Sequence, residues 1–206
     1  VTMKNWMVSA LCSVTLLAAS GAMAQAVVGK PAPSFTATDV AGKTVALSNY
    51  KGKFVVLEWT NPDCPFVGKH YNGGSMPATQ RRAVAEDVAW LSIQTIPNDR
   101  DHKAVARLQA WQKSKNASPT ATIVDSDGNI ARAYRAKATP HMYIVDPKGT
   151  LIYAGAIDSK PSTDPADIKT ATNYVSQALD EAMAGKPVSH PSSQAYGCAV
   201  EYPGGA

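Results

Sequence analysis

Cysteine is scarce in this 206-residue sequence, with three residues at positions 12, 64 and 198. Three is too few for a disulfide framework and fewer than the four closely spaced ligands of a structural zinc site. Nor is charge of one sign concentrated anywhere. The chain has no run of like charges, and a dispersed net charge of +4 is not the clustered basic face that nucleic-acid binding requires. Internal repeats are absent, and the 14 Gly and 14 Pro are scattered, which excludes collagenous and low-complexity chains. What is present is 45% hydrophobic and 17% charged residues, enough apolar material to bury a core without staples. The length suits about one domain. An odd number of cysteines is then the feature to explain.

The N-terminal residues account for one of them. Lys4 is the single charge before Lys30, and the stretch between them has an apolar middle at residues 14–19. It closes with Ala22-Met23-Ala24 before Gln25. A basic start, an apolar run and a small-x-small site describe a secretory signal peptide. An uncleaved membrane anchor is the rival reading, against which stand the Ser, Thr, Gly and Gln residues of the stretch and its cleavage pattern. Ser9 stands where a lipoprotein signal has a leucine-like residue, so Cys12 is not expected to carry lipid. The expectation is a signal peptide over 1–24, cleaved near Ala24-Gln25, and one domain over 25–206 with a polar tail over 189–206. The exported, periplasmic product would not remain inserted in a membrane. Loss of Lys4 lowers the net charge from +4 to +3. It leaves Cys64 and Cys198 in a compartment where disulfides persist.

Beyond residue 25 the chain alternates strand and helix signals. Residues 44–47 are short and strand-like. Residues 54–59 form an apolar run broken only by Glu58 and read as a central strand. A helix is expected from Pro65, interrupted at Asn72-Gly73-Gly74 and resumed over 77–87. Strands are expected at 89–95 and 121–124, with a helix over 101–115 between them that puts Val105, Leu108 and Trp111 on one face. Residues 125–129 carry turn chemistry. Residues 142–145 and 151–154 read as a hairpin. A last helix over 165–184, with Ile168, Ala171, Val175, Ala178 and Met183 near one face, is stopped by Gly185 and Pro187. This order predicts an α/β fold, a mixed sheet flanked by helices.

Cys64 follows the central strand and precedes Pro65. Proline favours the first helical position, which places Cys64 near the N-cap, where unpaired N–H groups and the helix dipole favour a thiolate. Such cysteines have pKa values of about 3.5–7.5 instead of about 8.5. The alternative is a buried structural cysteine, against which the loop residues Asn61, Pro62 and Asp63 argue. Asp63 would oppose the thiolate if its carboxylate pointed inward. Lys69 and His70 fall about 140° and 240° around a regular helix from Cys64, so both are expected to be solvated, with His70 as a base or charge partner the alternative.

Residues 47–53, Leu-Ser-Asn-Tyr-Lys-Gly-Lys, leading through the apolar strand to Cys64-Pro65, resemble the thioredoxin-like redoxins. That group includes the alkyl hydroperoxide reductase/thiol-specific antioxidant type and the secreted thiol–disulfide oxidoreductases. Residues 138–149, Ala-Thr-Pro-His-Met-Tyr-Ile-Val-Asp-Pro-Lys-Gly, resemble the segment in which that family's cis-proline opens a strand facing the active cysteine. The likeness covers 27 to about 184 and implies a thioredoxin-like fold without a bound cofactor. It assigns Cys64 as the attacking thiol and Pro140 as the cis-proline, an isomer that only X-Pro bonds reach cheaply. Thr139 would offer its backbone to an incoming chain, and Pro65 would lie beside it. Glu58, six residues before Cys64, matches a buried acid that relays protons. An ordinary trans-proline at 140 and an exposed or edge-strand Glu58 are the plain alternatives.

Two departures matter. Val67 stands where thioredoxins carry their second active cysteine, so no local disulfide can form. Asn61 stands where peroxiredoxins carry a threonine, with Thr60 one residue earlier. Cys198, on a tail expected to be mobile, is a candidate resolving thiol for an oxidised Cys64. A static Cys64–Cys198 bridge and a free tail thiol remain alternatives. The expected function is a periplasmic thiol-dependent oxidoreductase or peroxidase. Its partners would be a small peroxide or protein disulfide and an external thiol reductant. A copper-binding protein using Cys64, His70, His141, His190 and Cys198 is the second reading, and a non-catalytic binding module the third.

Overall fold

In the computed structural model, which describes residues 25–96 and 102–204, the apolar run around residues 54–59 lies at the middle of a five-stranded sheet. A hairpin of β1 (Thr36–Thr38) and β2 (Thr44–Ala46) precedes it. Then come β3 (Val55–Trp59), α1 (Pro65–Asn72), α2 (Ser75–Ala85), β4 (Ala89–Gln94), α3 (His102–Ser114), β5 (Ala121–Val124) and α4 (Asn129–Tyr134). The chain continues through β6 (Ala138–Thr139), β7 (His141–Val145), β8 (Leu151–Gly155), α5 (Tyr174–Met183) and β9 (Cys198–Ala199). The sheet order is β5-β4-β3-β7-β8, with β3, β4 and β5 parallel and β7 and β8 antiparallel to their neighbours. This is the mixed sheet flanked by helices that the element order predicts.

Every residue of β3 is buried, because both faces of the sheet are covered. Pleating sends alternate side chains to opposite faces. Val55, Leu57 and Trp59 join Leu91, Ile93, Tyr134 and Tyr143 on one side. Val56 joins Trp90, Ile144 and the apolar stripes of α1, α2 and α5 on the other. Cys64 belongs to this second side, and Glu58, in phase with Val56, faces it too.

Three expectations need correction or fall outside view. The helix expected over 165–184 is two pieces, a 3-10 turn at Pro165–Lys169 and α5. Asn173 separates them, its carboxamide oxygen accepting the Ser176 N–H at 2.9 Å as an N-cap. Ile168 and Ala171 therefore precede the helix. The buried stripe is Val175, Ala178 and Leu179, while Met183 is exposed. Helix α4 falls in and just beyond what reads as a turn, its first N–H groups held by the Asp125 carboxylate at 3.2 Å (Ile130) and 2.9 Å (Ala131). The expected signal peptide, residues 1–24 with Cys12, lies outside the described residues. Among the described residues no helix is long and apolar enough to cross a membrane.

Candidate active site

Cys64 is the N-cap of α1, with extended backbone, and Pro65 opens the helix. A short turn delivers it from β3. The Asn61 side chain accepts the Asp63 N–H at 2.9 Å, and the Asn61 carbonyl accepts the Cys64 N–H at 3.1 Å. The Cys64 carbonyl then takes the first helical bond, from Gly68 at 2.8 Å. Asp63 points away, exposed and paired with Arg107, so its charge does not face the sulfur. Cys64 itself is only 1% exposed.

What covers it is the C-terminal tail. Cys64 and Cys198 form a disulfide with their Cα atoms 5.8 Å apart. Strand β9 pairs antiparallel with β6, Cys198 opposite Thr139 and Ala199 opposite Ala138. The Thr139–Pro140 peptide is cis, and the Thr139 carbonyl oxygen lies 3.1 Å from Cys64 Sγ. Gly197 has φ +128°, and a Cβ there would fall on the Thr139 carbonyl, so only glycine lets the tail approach this closely.

As far as residue 204 the tail is docked, not mobile as expected. Ser193 Oγ contacts Tyr153 Oη at 2.7 Å and accepts the Ala156 N–H at 2.9 Å. Beyond the cysteine, the Tyr202 hydroxyl donates to the Ala136 carbonyl at 2.5 Å, and Arg132 donates to the Pro203 carbonyl at 2.6 Å. Polar side chains spaced along an irregular segment give no periodic signal, which is why the sequence reads as a loose tail.

Glu58 is fully buried. Its Oε1 accepts the Tyr71 hydroxyl at 2.7 Å. Its Oε2 accepts Trp90 Nε1 at 2.7 Å, Gln80 Nε2 at 3.0 Å and Ser92 Oγ at 3.0 Å. Burial pushes its pKa up, while the four donors pull it down; burial is the larger effect. Nearby, Thr60 Oγ1 is buried with no hydrogen-bond partner. Thr60 lines a cavity of about 30 Å³ with Asn61, Thr95, Thr139 and Ala199, room for a water-sized molecule.

Lys69 and His70 are buried, not solvated, at 1% and 2% exposure. Their angular separation from Cys64 holds, but a second wall meets that side of α1. The loop after β8 brings Asp158, whose Oδ2 lies 3.1 Å from Lys69 Nζ. Lys69 Nζ also donates to the Lys160 carbonyl at 2.7 Å. His70 Nδ1 lies 3.1 Å from Ser75 Oγ and Nε2 lies 3.2 Å from the Tyr196 hydroxyl. That hydroxyl donates to Asp158 Oδ1. Burial pushes the His70 pKa down to about 4, with Lys69 adding to the effect and Asp158 opposing it. No sequence pattern marks Asp158 or Tyr196, since both reach α1 only by tertiary packing.

The copper-ligand set is not brought together. His70 faces Ser75 and Tyr196, His141 stacks on Tyr143, and His190 lies against Tyr174. Cys64 and Cys198 are bound to each other. Among the described residues no three His, Cys, Asp or Glu side chains are grouped to hold a metal.

The model of the AhpC/TSA family matches residues 28–154, ending before α5 and the Cys198 tail. The thiol-disulfide oxidoreductase ResA of Bacillus thuringiensis (strain Al Hakam) is 26% identical over 115 residues, 50% of this chain and 66% of that protein. The chain thus spans just under two thirds of that relative's length. An uncharacterized conserved protein from Geobacillus kaustophilus superposes with TM-score 0.70 at 24% identity, over 87% of this chain and 94% of that one. The thioredoxin domain of a thiol-disulfide oxidoreductase from Bacteroides vulgatus superposes with TM-score 0.52 at 17% identity, over 71% of this chain and 98% of that one. Both structures share a thioredoxin-like fold with this chain.

Proposed function

This chain belongs to the AhpC/TSA family, and from that premise we propose that it is an exported thiol oxidoreductase whose Cys64 and Cys198 cycle between two thiols and a disulfide. The observation that carries this is the bridge between a cysteine at a helix N-terminus and a tail cysteine paired with Thr139 beside the cis Thr139–Pro140 bond. The name of the ResA relative, a thiol-disulfide oxidoreductase, supports the same chemistry. Export rests on the signal pattern of residues 1–24.

In this reading Cys64 attacks as the thiolate, stabilised by the unpaired N–H groups that open α1. With a hydroperoxide, the sulfur takes one oxygen, the O–O bond breaks, and an alcohol or water leaves with the proton. Cys198 then attacks the Cys64 sulfenic sulfur, expelling water and closing the disulfide. With a disulfide oxidant, Cys64 forms a mixed disulfide and expels one thiolate, and Cys198 expels the second. Two equivalents of an external thiol return the pair to the reduced state and become a disulfide themselves. Glu58 serves as the buried proton store for these steps. The Thr139 carbonyl stands against the sulfur, and the family likeness gives Pro140 and Pro65 the rest of the substrate-binding surface. Strand β9 already occupies the Thr139 edge, which favours a small oxidant over an extended polypeptide.

Intact mass and peptide maps of reduced protein, before and after hydroperoxide or a small disulfide, test the reading. The expected result is rapid loss of two hydrogens with a Cys64–Cys198 link, abolished by Cys64→Ser. A Cys64→Ser protein with full activity, or a bridge that neither oxidant re-forms, would overturn it. A link that peroxide forms and disulfides do not selects the peroxidase branch.

A further inference from the structure

Helix α1 carries two buried polar groups with no part in the sulfur chemistry above, Lys69 and His70. Their partners come from distant points of the chain, Asp158 after β8 and Tyr196, two residues before Cys198. We propose that Lys69, His70 and Asp158 form a socket for the Tyr196 hydroxyl, and that Tyr196 is a positioning residue holding Cys198 on Thr139 while the disulfide is open. This rests on the reading that the cysteine pair cycles.

The socket is complete without the tail. Lys69 Nζ is fixed by Asp158 Oδ2 at 3.1 Å and by the Lys160 carbonyl at 2.7 Å. Asp158 Oδ1 accepts the Lys160 N–H at 2.9 Å, and His70 Nδ1 is 3.1 Å from Ser75 Oγ. Two groups then lack a full set of partners, Asp158 Oδ1 and His70 Nε2. The Tyr196 hydroxyl satisfies both, donating to the carboxylate and standing 3.2 Å from His70 Nε2. With the Tyr196 hydroxyl donating to Asp158, a neutral His70 protonated at Nε2 donates to the Tyr196 oxygen, and Nδ1 is the acceptor that Ser75 Oγ faces besides the His70 carbonyl at 3.3 Å. The lowered pKa of His70 agrees with that neutral form.

The ring is held as well as the hydroxyl. It packs edge-on to Phe66, centroids 5.8 Å apart, and Lys69 Nζ sits 5.7 Å from its centroid. Phe66, Lys69 and His70 all belong to α1, the helix that begins at Cys64. Both cysteines are therefore referenced to one rigid element, one by its backbone and the other through Tyr196. Of the tail side chains that anchor it, Ser193 and Tyr202 lie further along the chain from Cys198 than Tyr196 does, and the nearer contacts are backbone ones, the β6–β9 ladder and the Val200 N–H on the Lys137 carbonyl at 3.2 Å. Opening the disulfide removes none of these contacts. Proximity maintained in this way raises the effective concentration of the second thiol and favours ring closure.

Full-length protein equilibrated in dithiothreitol redox buffers, with thiols trapped by alkylation and counted by mass, tests the proposal. Reduction moves two electrons and two protons to the cysteine pair as the dithiol closes to its cyclic disulfide. Tyr196→Phe keeps the ring and removes the hydroxyl. It is expected to shift the equilibrium about tenfold toward the reduced form, about 30 mV for this couple. In a Cys198→Ser background it is expected to raise the rate of Cys64 alkylation about fivefold or more as the tail opens. Asp158→Asn is a second route to the same shift. Thr122→Val, which removes a buried hydrogen bond to Gln112 away from the tail, should change neither readout. A wild-type bridge that does not re-form overturns the cycling reading itself. A reversible wild-type couple with Tyr196→Phe within twofold of it, or unchanged Cys64 alkylation, overturns the role of Tyr196.

Discussion

Thr139 touches both members of the cysteine pair: its backbone pairs with Cys198 across the β6–β9 ladder, and its carbonyl oxygen lies 3.1 Å from Cys64 Sγ. One residue thus registers two sulfurs that are 134 positions apart in sequence. Gly197 makes the approach possible. Gly197→Ala combines a disfavoured positive φ with a Cβ placed on the Thr139 carbonyl, so the ladder must open. The expected outcome is slowing of disulfide formation by about tenfold or more, with Cys64 still reactive toward iodoacetamide. Stopped-flow oxidation with mass readout measures both.

Breaking the bridge also removes a constraint on the unfolded chain. For a loop of this length the chain-entropy model gives a contribution on the order of 5 kcal/mol. Urea unfolding with and without reductant should show a loss up to about that size, and Cys198→Ser in the absence of reductant should match the reduced wild type.

Glu58→Gln separates stability from chemistry. Burial raises the native pKa of Glu58 above its ordinary value, so the ionised carboxylate costs stability as pH rises above about 4.5, the unfolded value. The neutral isostere removes that cost. The urea midpoint of the variant should therefore fall less than that of the wild type between pH 4.5 and pH 8, from a value lowered at pH 4.5 because the amide NH2 cannot accept from the donors around it. If Glu58 stores the proton, thiol–disulfide exchange should slow about tenfold or more at the same time.

Two histidines set an acid limit. Burial lowers the pKa of both His70 and His141 to about 4, with Lys137 reinforcing the effect at His141. A depressed histidine leaves native stability intact above the unfolded pKa of about 6.5 and removes it as pH falls toward about 4. Each contributes on the order of 3 kcal/mol over that window. Urea midpoints measured from pH 7.5 to pH 4.5 should fall, and the fall should be shallower in His141→Asn.

Thr60→Val tests the unpartnered hydroxyl. A buried Oγ without a partner costs about 1–3 kcal/mol relative to a satisfied or apolar group. The valine variant should match or exceed the wild type in thermal unfolding. A drop of about 1 kcal/mol or more would instead mean that the hydroxyl has a water or ligand partner in solution.

Much of the site is local in origin and therefore readable. A continuous apolar run, loop residues and Cys-Pro place a thiol at a helix start because strand, turn and cap each depend on adjacent residues. Lys69 and His70 are the contrary case. Helical geometry puts them away from Cys64, and that geometry holds. Whether that side meets water or protein depends on Asp158 and Tyr196, about 90 and 126 positions later than Lys69 and His70. The last helix divides at Asn173 because a side-chain cap outweighs a weak apolar period that continues across it.

By itself the sequence determined the family, the mixed sheet with its helices, and the two cysteines on which the proposed chemistry rests, since these follow from periodicity, turn residues and short motifs. Tertiary structure alone decided that the tail is docked, that Cys198 lies against Thr139, and that a buried lysine, histidine and aspartate receive Tyr196. Those contacts join residues far apart in the chain, and their stability comes from mutual burial and hydrogen bonding, which no local pattern records.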